Sequence, residues 1–350
     1  MKDSAAAGRR KNVTINDVAA AAGVSKSMVS YALNGRPEVN EQTRERIVET
    51  ARHLGWTPSL RGRALSKARA FAIGLIFHRT VESLSTDQFY TLFTAGVQDV
   101  LSARGYALVT EVVSSDEEER EAYIRFARDG RVDGFLLTDV RDDDPRFAYV
   151  REHGMAALVM EATAQAPGLP VLRVSNDRPA AEAVVDRLAD LGHRRIGIIA
   201  GLQSLASGRG RLRLFQEALA ARGLEDVAVE YGDYSPESGA AACARLLRRD
   251  ATPTAIIAAN DMMAIAAIAE AQRQGRRVPD DVSVVGWENI PLSALLQPAL
   301  SSVSSDPFWT GQQGARALLG VIDGHELPEP AIRVPRFVER DSIGPVPGRH

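Results

Sequence analysis

The sequence predicts a small all-α unit at the amino terminus joined to a larger α/β body of two doubly wound halves. Three observations point there. Between Thr14 and Gly55, three short amphipathic stretches follow one another, with capping residues and a glycine turn between them. From Phe71 onward, short apolar runs alternate with helical patterns. The charge divides at the same place: residues 1–70 carry 13 Lys/Arg against 6 Asp/Glu, or +7, so a net charge of −3 leaves −10 on the remainder.

Thr14 followed by Asp17 is a Thr-x-x-Asp helix start, in which hydroxyl and carboxylate each satisfy an orphan amide. Val18, Ala19 and Ala22 share one face of the helix that follows, and Gly23 stands where a left-handed residue must turn the chain. Ser25 is expected to cap a second helix over about Lys26 to Leu33, with Val29 and Leu33 inward and Lys26, Ser27, Ser30 and Tyr31 outward. Asn40, alone or with Thr43, caps a third helix running to Gly55. Its apolar stripe is Ile47, Val48, Ala51 and Leu54, which leaves Arg44, Arg46 and Arg52 to water or phosphate. Two short helices joined by a glycine turn form a helix-turn-helix, whose second helix fits a major groove about 12 Å wide. Lys26 and Ser27 lead into that groove, and the basic charge on the same unit is the electrostatic footprint of a nucleic-acid reader.

At 350 residues the chain exceeds one compact core, so two or three folding units are expected. Apolar residues at 45% and charged residues at 25% are a globular balance. No apolar run approaches the roughly 18 residues of a membrane span, and MKDSAAAGRRK is not followed by an apolar core, so a cytoplasmic, nucleoid-associated protein is expected. The single Cys243 excludes an internal disulfide.

In the body, strands are expected at Ile73 to Phe77, Ala107 to Val113, Gly134 to Thr138, Ala157 to Met160, Val171 to Val174, Ile196 to Gly201, Ala255 to Ala259 and Val282 to Trp287. Each run is short and almost uniformly apolar, as buried parallel strands are, with helices covering both faces of the sheets. Gly105-Tyr106 and Gly192-His193 end corresponding helices of the two halves. Ligands bind such sheets at the carboxyl ends of their strands, hence in a cleft between the halves.

The amino-terminal stretch resembles the headpiece of the lactose-repressor (LacI/GalR) family, through Val18-Ala19, Ala22-Gly23-Val24-Ser25, Val29-Ser30, Leu33-Asn34 and Thr43-Arg44-Glu45-Arg46. The resemblance continues through Ile73-Gly74-Leu75-Ile76, Asp133-Gly134, Leu191 to Ile196, Asn260 to Ala264, Val278 to Gly286 and Leu300 to Val303, so it covers nearly the whole chain. It implies a periplasmic-binding-protein-like core of two subdomains crossed three times by the chain, with the crossings expected near Glu161, Leu300 and Leu327. The domains would be residues 1–57 for the headpiece, 58–69 for a hinge helix, and 70–350 for the core. Within that core, 70–160 and 301–327 would form one subdomain, and 161–300 and 328–350 the other. The hinge, Pro58 to Ser66, would fold on DNA with Leu65 wedged into the minor groove. Thr14, Ser25, Lys26, Ser27, Met28, Ser30, Tyr31, Asn34, Arg61, Arg63 and Leu65 form the implied DNA-contact set. The chain departs from the family at Ser59, usually Asn, at Gly62, usually Ala, and at Tyr31, more commonly Arg.

The implied effector residues are Arg211, with Arg213 as a neighbouring alternative, Asn260 and Glu288, where relatives usually carry Asp, and the aromatics Phe89, Tyr90 and Tyr234. Asp139 and Asp142 are weaker members, and Asp261 reads equally as a helix cap. A guanidinium suits vicinal hydroxyls or a carboxylate, and aromatic faces suit a pyranose or purine. The six histidines show no metal spacing, no Gly-x-Ser-x-Gly elbow or phosphate loop occurs, and no cofactor, metal or catalysis is expected. The resemblance thus implies a repressor binding a pseudopalindromic operator as a homodimer, with a small-molecule effector, a sugar or related metabolite, in the cleft. The Gly344 to Gly348 ending supplies no leucine heptads for a tetramer. A transporter's solute-binding protein and a sugar-modifying enzyme are the rival classes; the basic headpiece opposes the first and the lack of a catalytic constellation the second.

Overall fold

The computed structural model describes residues 13–33, 36–56, 67–160, 166–224 and 227–346. The chain divides between Arg69 and Ala70 into two compact units. In the first, α1 (Ile15–Ala22), α2 (Lys26–Leu33) and α3 (Glu41–His53) enclose a core centred on Val18, Val29 and Ile47. The expected caps are formed: Thr14 and Asp17 make a reciprocal capping box, the Ser25 hydroxyl accepts from the Met28 N–H at 3.1 Å, and Asn40 accepts from the Thr43 N–H at 2.8 Å. Gly23, at φ 67°, makes the turn between the first two helices. Two details differ from expectation. Ala32 rather than Leu33 is the second fully buried residue of α2, because small Ala at i, i+3 from Val29 lets the helices approach closely. Val48 lies 37% exposed on the flank of α3, one step of about 100° from Ile47. Nor is Arg44 left to water or phosphate, since its guanidinium pairs with Glu41 and donates to the carbonyls of Arg36 and Val39.

The second unit begins with β1 (Ala72–His78), α4 (Val81–Thr86), α5 (Gln88–Arg104), β2 (Ala107–Val113), α6 (Asp116–Arg128), β3 (Gly134–Leu137), α7 (Arg146–Glu152), β4 (Ala156–Met160) and β5 (Val171–Leu172). It continues with α8 (Arg178–Asp190), β6 (Ile196–Ala200), α9 (Ala206–Ala221), β7 (Val227–Tyr231), α10 (Pro236–Leu247), β8 (Ala255–Ala258), α11 (Asp261–Arg273) and β9 (Ser283–Glu288). After β10 (Ser301–Ser304) and α12 (Pro307–Ile322), β11 (Arg336–Val338) ends the pattern. Among the described residues, one sheet has the order β2-β1-β3-β4-β5 and the other β11-β10-β9-β8-β6-β7, all parallel except β11. Alternation along β1 sends Ile73 and Leu75 into a core with Phe93 of α5 and Leu318 of α12, and Ile76 into a second core with Tyr123 and Phe126 of α6. In the other sheet, Ile198 and Ile257 face Val184 and Phe215, while Ile199 and Ile256 face Leu246 and Ala267.

β7, β10 and β11 were not foreseen: β7 and β11 are edge strands with incomplete apolar runs, and β10 reads Ser-Ser-Val-Ser. Nor is β2 a strand buried on both faces; it is an edge with exposed positions. The crossings also fall later than expected. Val171–Leu172 pairs with β4, so the first sheet extends beyond Glu161 and the chain leaves it after Val174. β10 belongs to the second sheet while α12 packs on the first, placing the next crossing at residues 305–306 rather than at Leu300. The return to β11 runs through residues 333–335 rather than near Leu327, where the Arg333 N–H donates to the Val174 carbonyl at 2.8 Å.

Candidate functional site

On α2, Lys26, Ser27, Met28 and Tyr31 are exposed, Met28 by 36% and Tyr31 by 46%. The hydroxyls of Thr14 and Ser25 serve the helix starts, and Ser30 is half-buried. Asn34, Arg61, Arg63 and Leu65 lie outside the described residues, as does the hinge up to Ser66.

In the second unit a cavity of about 880 Å³ opens where the carboxyl ends of strands from both sheets converge. Phe89, Tyr90, Arg211, Tyr234 and Glu288 line it, together with Asp139. Asp87 caps α5, accepting from the Phe89 N–H at 2.9 Å, and so presents Phe89 and Tyr90. Arg79, just past β1, donates from Nε to Asp139 at 2.8 Å and lies 3.7 Å from Asp87. Its guanidinium sits 5.1 Å from the Tyr90 ring centre and 5.7 Å from that of Tyr234, so it spans the two subdomains. Burial alone would lower the Arg79 pKa, but Asp139, Tyr90 and Asp87 raise it overall.

Arg211, on α9, donates from Nη1 to the Ala259 carbonyl at 2.7 Å and stacks 4.6 Å from the Trp287 ring centre. Its buried Nε has no hydrogen-bond partner. Glu288 closes β9 with φ 116°, followed by Asn289 at φ 55°. Such backbone persists only where neighbours hold it, at about 1–3 kcal/mol per residue. Asp261 is the holder: it accepts from the Ile290 N–H at 2.9 Å and from the hydroxyls of Ser293 and Ser302. Burial, and then Asp87, push the Glu288 carboxyl well above the usual carboxylate range, against Arg211. Burial likewise raises Asp87 and the phenols of Tyr90 and Tyr234.

Two expected effector residues do not line this cavity. Asn260 is 3% exposed and fully engaged, its Oδ1 accepting from the Met263 N–H at 2.9 Å and its Nδ2 donating to the Tyr234 carbonyl at 3.0 Å. It therefore positions Tyr234, whose φ is 73°. Asp142 pairs with Arg209 at another surface depression. Arg213 is exposed and pairs with Glu217. Sequence reasoning missed Arg79 and Asp87, although Arg79 ends a strand and Asp87 carries a helix-start signal. Trp309 and Arg333, also in the lining, could not be found without the crossings.

Among the described residues, His78, Asp116 and Glu119 offer a metal-like grouping, but Arg141 donates to both carboxylates and lies 2.9 Å from His78 Nδ1. A guanidinium there neutralises the donors a cation would need. His193 is buried against Thr254 and the Gly344 carbonyl, a packing role. Among the described residues no helix is long and apolar enough to cross a membrane.

A helix-turn-helix unit followed by this two-sheet core defines a DNA-binding transcriptional regulator. Residues 14–59 match the family described as bacterial regulatory proteins, lacI family, and residues 185–343 the periplasmic binding protein-like domain. The HTH-type transcriptional regulator CelR of Thermobifida fusca is 34% identical over 92% of this chain and 95% of its own. The probable HTH-type transcriptional repressor ExuR of Bacillus subtilis is 31% identical over 95% and 98%. The lac repressor dimer bound to operator and the anti-inducer ONPF superposes with a TM-score of 0.79 at 26% identity, covering 95% of this chain and 99% of that one. A CelR–cellobiose complex superposes at 0.70 with 31% identity, covering 95% and 100%. The chain belongs to the LacI family of transcriptional regulators; its relatives are regulators, not enzymes.

Proposed function

We propose that the protein is a cytoplasmic repressor that binds a pseudopalindromic operator as a homodimer, and that a sugar in the cleft controls this binding. The observation that carries the reading is the presence, in one chain, of an exposed polar face on α2 and a cavity to which both subdomains contribute aromatic rings and guanidinium groups. Lys26 and Ser27 lead the helix into the major groove, with Met28 and Tyr31 behind them. Repression follows the naming of ExuR, and the saccharide follows the CelR–cellobiose complex together with the mixed donors, acceptors and ring faces of the cavity. The effector acts only through a preference for one of two dimer arrangements, since equal affinity for both shifts nothing.

Selection of genomic fragments by the purified protein at near-physiological salt tests the DNA half: one enriched palindrome is expected, and only sequence-independent binding would contradict it. Deleting residues 1–66 is expected to abolish operator binding while leaving sugar binding intact.

A further inference from the structure

Beyond the inner group of Arg79, Tyr90, Arg211 and Trp287, the cavity continues to the crossover segments, where Ser305, Asp306, Trp309 and Arg333 line it. Arg333 is fixed by its main chain, its N–H donating to the Val174 carbonyl at 2.8 Å and its carbonyl accepting from the Asn176 N–H at 2.9 Å. Its side chain is less constrained. The guanidinium lies 4.2 Å from the Trp309 ring centre and pairs with Asp306, and both partners are about half exposed, at 52% and 43%. Exposed pairs of this kind are weakly held. A flat, displaceable group thus covers the indole face on which a pyranose would stack.

Two further observations point to a ligand that spans both ends. The buried Arg211 Nε at the inner end and the buried Ser305 hydroxyl at the outer end lack hydrogen-bond partners, and both residues line the cavity. Buried polar atoms left so are costly, and ligand hydroxyls would satisfy them. The volume, about 880 Å³, lies in the upper part of the roughly 300–1,000 Å³ of small-molecule sites. Four arginines and five carboxylates line the cavity, and the Glu288 carboxyl is shifted towards its neutral form, so no surplus positive charge calls for an acidic ligand.

Resting on the saccharide reading above, we propose that the effector is a neutral sugar of at least two rings, the second of which stacks on Trp309 after displacing the Arg333 guanidinium. The inner group then reads one ring, and Trp309 with Ser305 reads the next.

Titration calorimetry of the full chain with glucose, galactose, cellobiose, lactose, maltose and galacturonate tests this, using the wild type, Trp309→Ala, Trp309→Phe and Arg333→Ala. At least one neutral disaccharide is expected to bind tenfold or more tighter than its constituent monosaccharides. Trp309→Ala should reduce that ratio at least fivefold, Trp309→Phe should keep most of it, and Arg333→Ala should preserve or raise it. The phenylalanine variant guards against a folding defect, because it retains an aromatic face. A mono- to disaccharide ratio that Trp309→Ala leaves unchanged overturns the two-ring assignment, while the saccharide reading stands on the monosaccharide binding itself. Galacturonate binding above all neutral sugars, and lost in Arg333→Ala, overturns it in favour of Arg333 as a counter-ion. Binding of none of these sugars removes the saccharide reading, and the inference with it.

Discussion

Replacing Gly201 by Ala should disable the cleft from a position outside its lining. A Cβ built at Gly201 would stand 2.3 Å from Cζ of Tyr234 and 2.4 Å from its Cε1 and hydroxyl oxygen. Carbon atoms normally rest at about 3.5–4.0 Å, so the ring must withdraw by about 1 Å or more. It has little freedom to do so. The Tyr234 backbone is left-handed at φ 73° and tied through its carbonyl to Asn260, and the second neighbouring glycine, Gly208, already approaches the phenol, a Cβ there lying 3.3 Å from its oxygen. Overpacking of this kind costs about 1–3 kcal/mol, and the displaced ring also moves away from the Arg79 guanidinium that it faces across the cleft.

The expected result is a loss of about 1–3 kcal/mol in urea unfolding of residues 70–350 and a roughly tenfold weaker effector, about 1.4 kcal/mol, by calorimetry. In a Tyr234→Ala background the new methyl group meets no ring, so the same substitution should become nearly neutral. The double-mutant cycle would then give a coupling within the roughly 0.5–3 kcal/mol seen for residues in contact. Equal penalties in both backgrounds would refute the argument that the absence of a side chain at Gly201 makes room for the Tyr234 ring.

Glu288→Gln should flatten part of the stability profile. The folded carboxyl titrates well above its ordinary 4.5, so the wild type holds an extra proton when folded and loses stability relative to the variant as pH rises from the ordinary carboxylate range through the raised value. Each unit of elevation corresponds to about 1.4 kcal/mol, and a pH-independent difference in unfolding free energy would contradict the assignment. Asn260→Ala removes a helix cap and should cost about 0.5–2 kcal/mol; because Tyr234 loses its tether as well, effector affinity should fall too, and unchanged affinity would deny Asn260 its positioning role. Asp142→Ala breaks an exposed pair with Arg209 away from the cavity, so less than about 1 kcal/mol of stability should be lost, with effector binding unaltered; calorimetry checks the second part. On DNA, Lys26→Ala should lower the salt slope of operator binding by about one, whereas Tyr31→Ala should weaken the operator more than random sequence, and filter binding across a salt series separates the two.

The helix starts of the first unit could be read from the sequence because each cap is local: Thr14 with Asp17, Ser25 with Met28, and Asn40 with Thr43 lie within one turn. Apolar runs identified the central strands for the same reason, since both faces of β6 and β8 are covered and every side chain in them is buried. β10 escaped because its stabilisation is tertiary. Ser301 and Ser302 are fully buried, but as hydrogen-bonding residues, accepting from the Arg340 N–H and donating to Asp261. The cavity was half legible. Glu288 ends β9, a strand that the apolar pattern revealed, and Arg211 and Tyr234 followed from the family resemblance, whereas Trp309 and Arg333 meet only because two crossover segments lie side by side. Asn260 shows the opposite limit: residue type and strand-end position suited a ligand, but the cap at α11 claimed the amide oxygen and the Tyr234 carbonyl claimed its nitrogen.

The cleft already holds contacts between its two halves that require no ligand. Arg79 faces Tyr234, and the Ala206 N–H donates to the Val140 carbonyl at 2.8 Å. To reverse a 1:99 population of two arrangements fully, an effector must supply an increment of about 5.5 kcal/mol, a 10⁴-fold preference for one of them. Arg211 Nε and the Ser305 hydroxyl, both buried and unpartnered, lie where a ligand could supply part of it, because a buried polar group gains about 1–3 kcal/mol when it finds its partner. Two such groups together cover from about a third of that increment to all of it. Under the proposed function, a ligand that completes these two hydrogen bonds would supply much of the preference that couples the cleft to DNA binding.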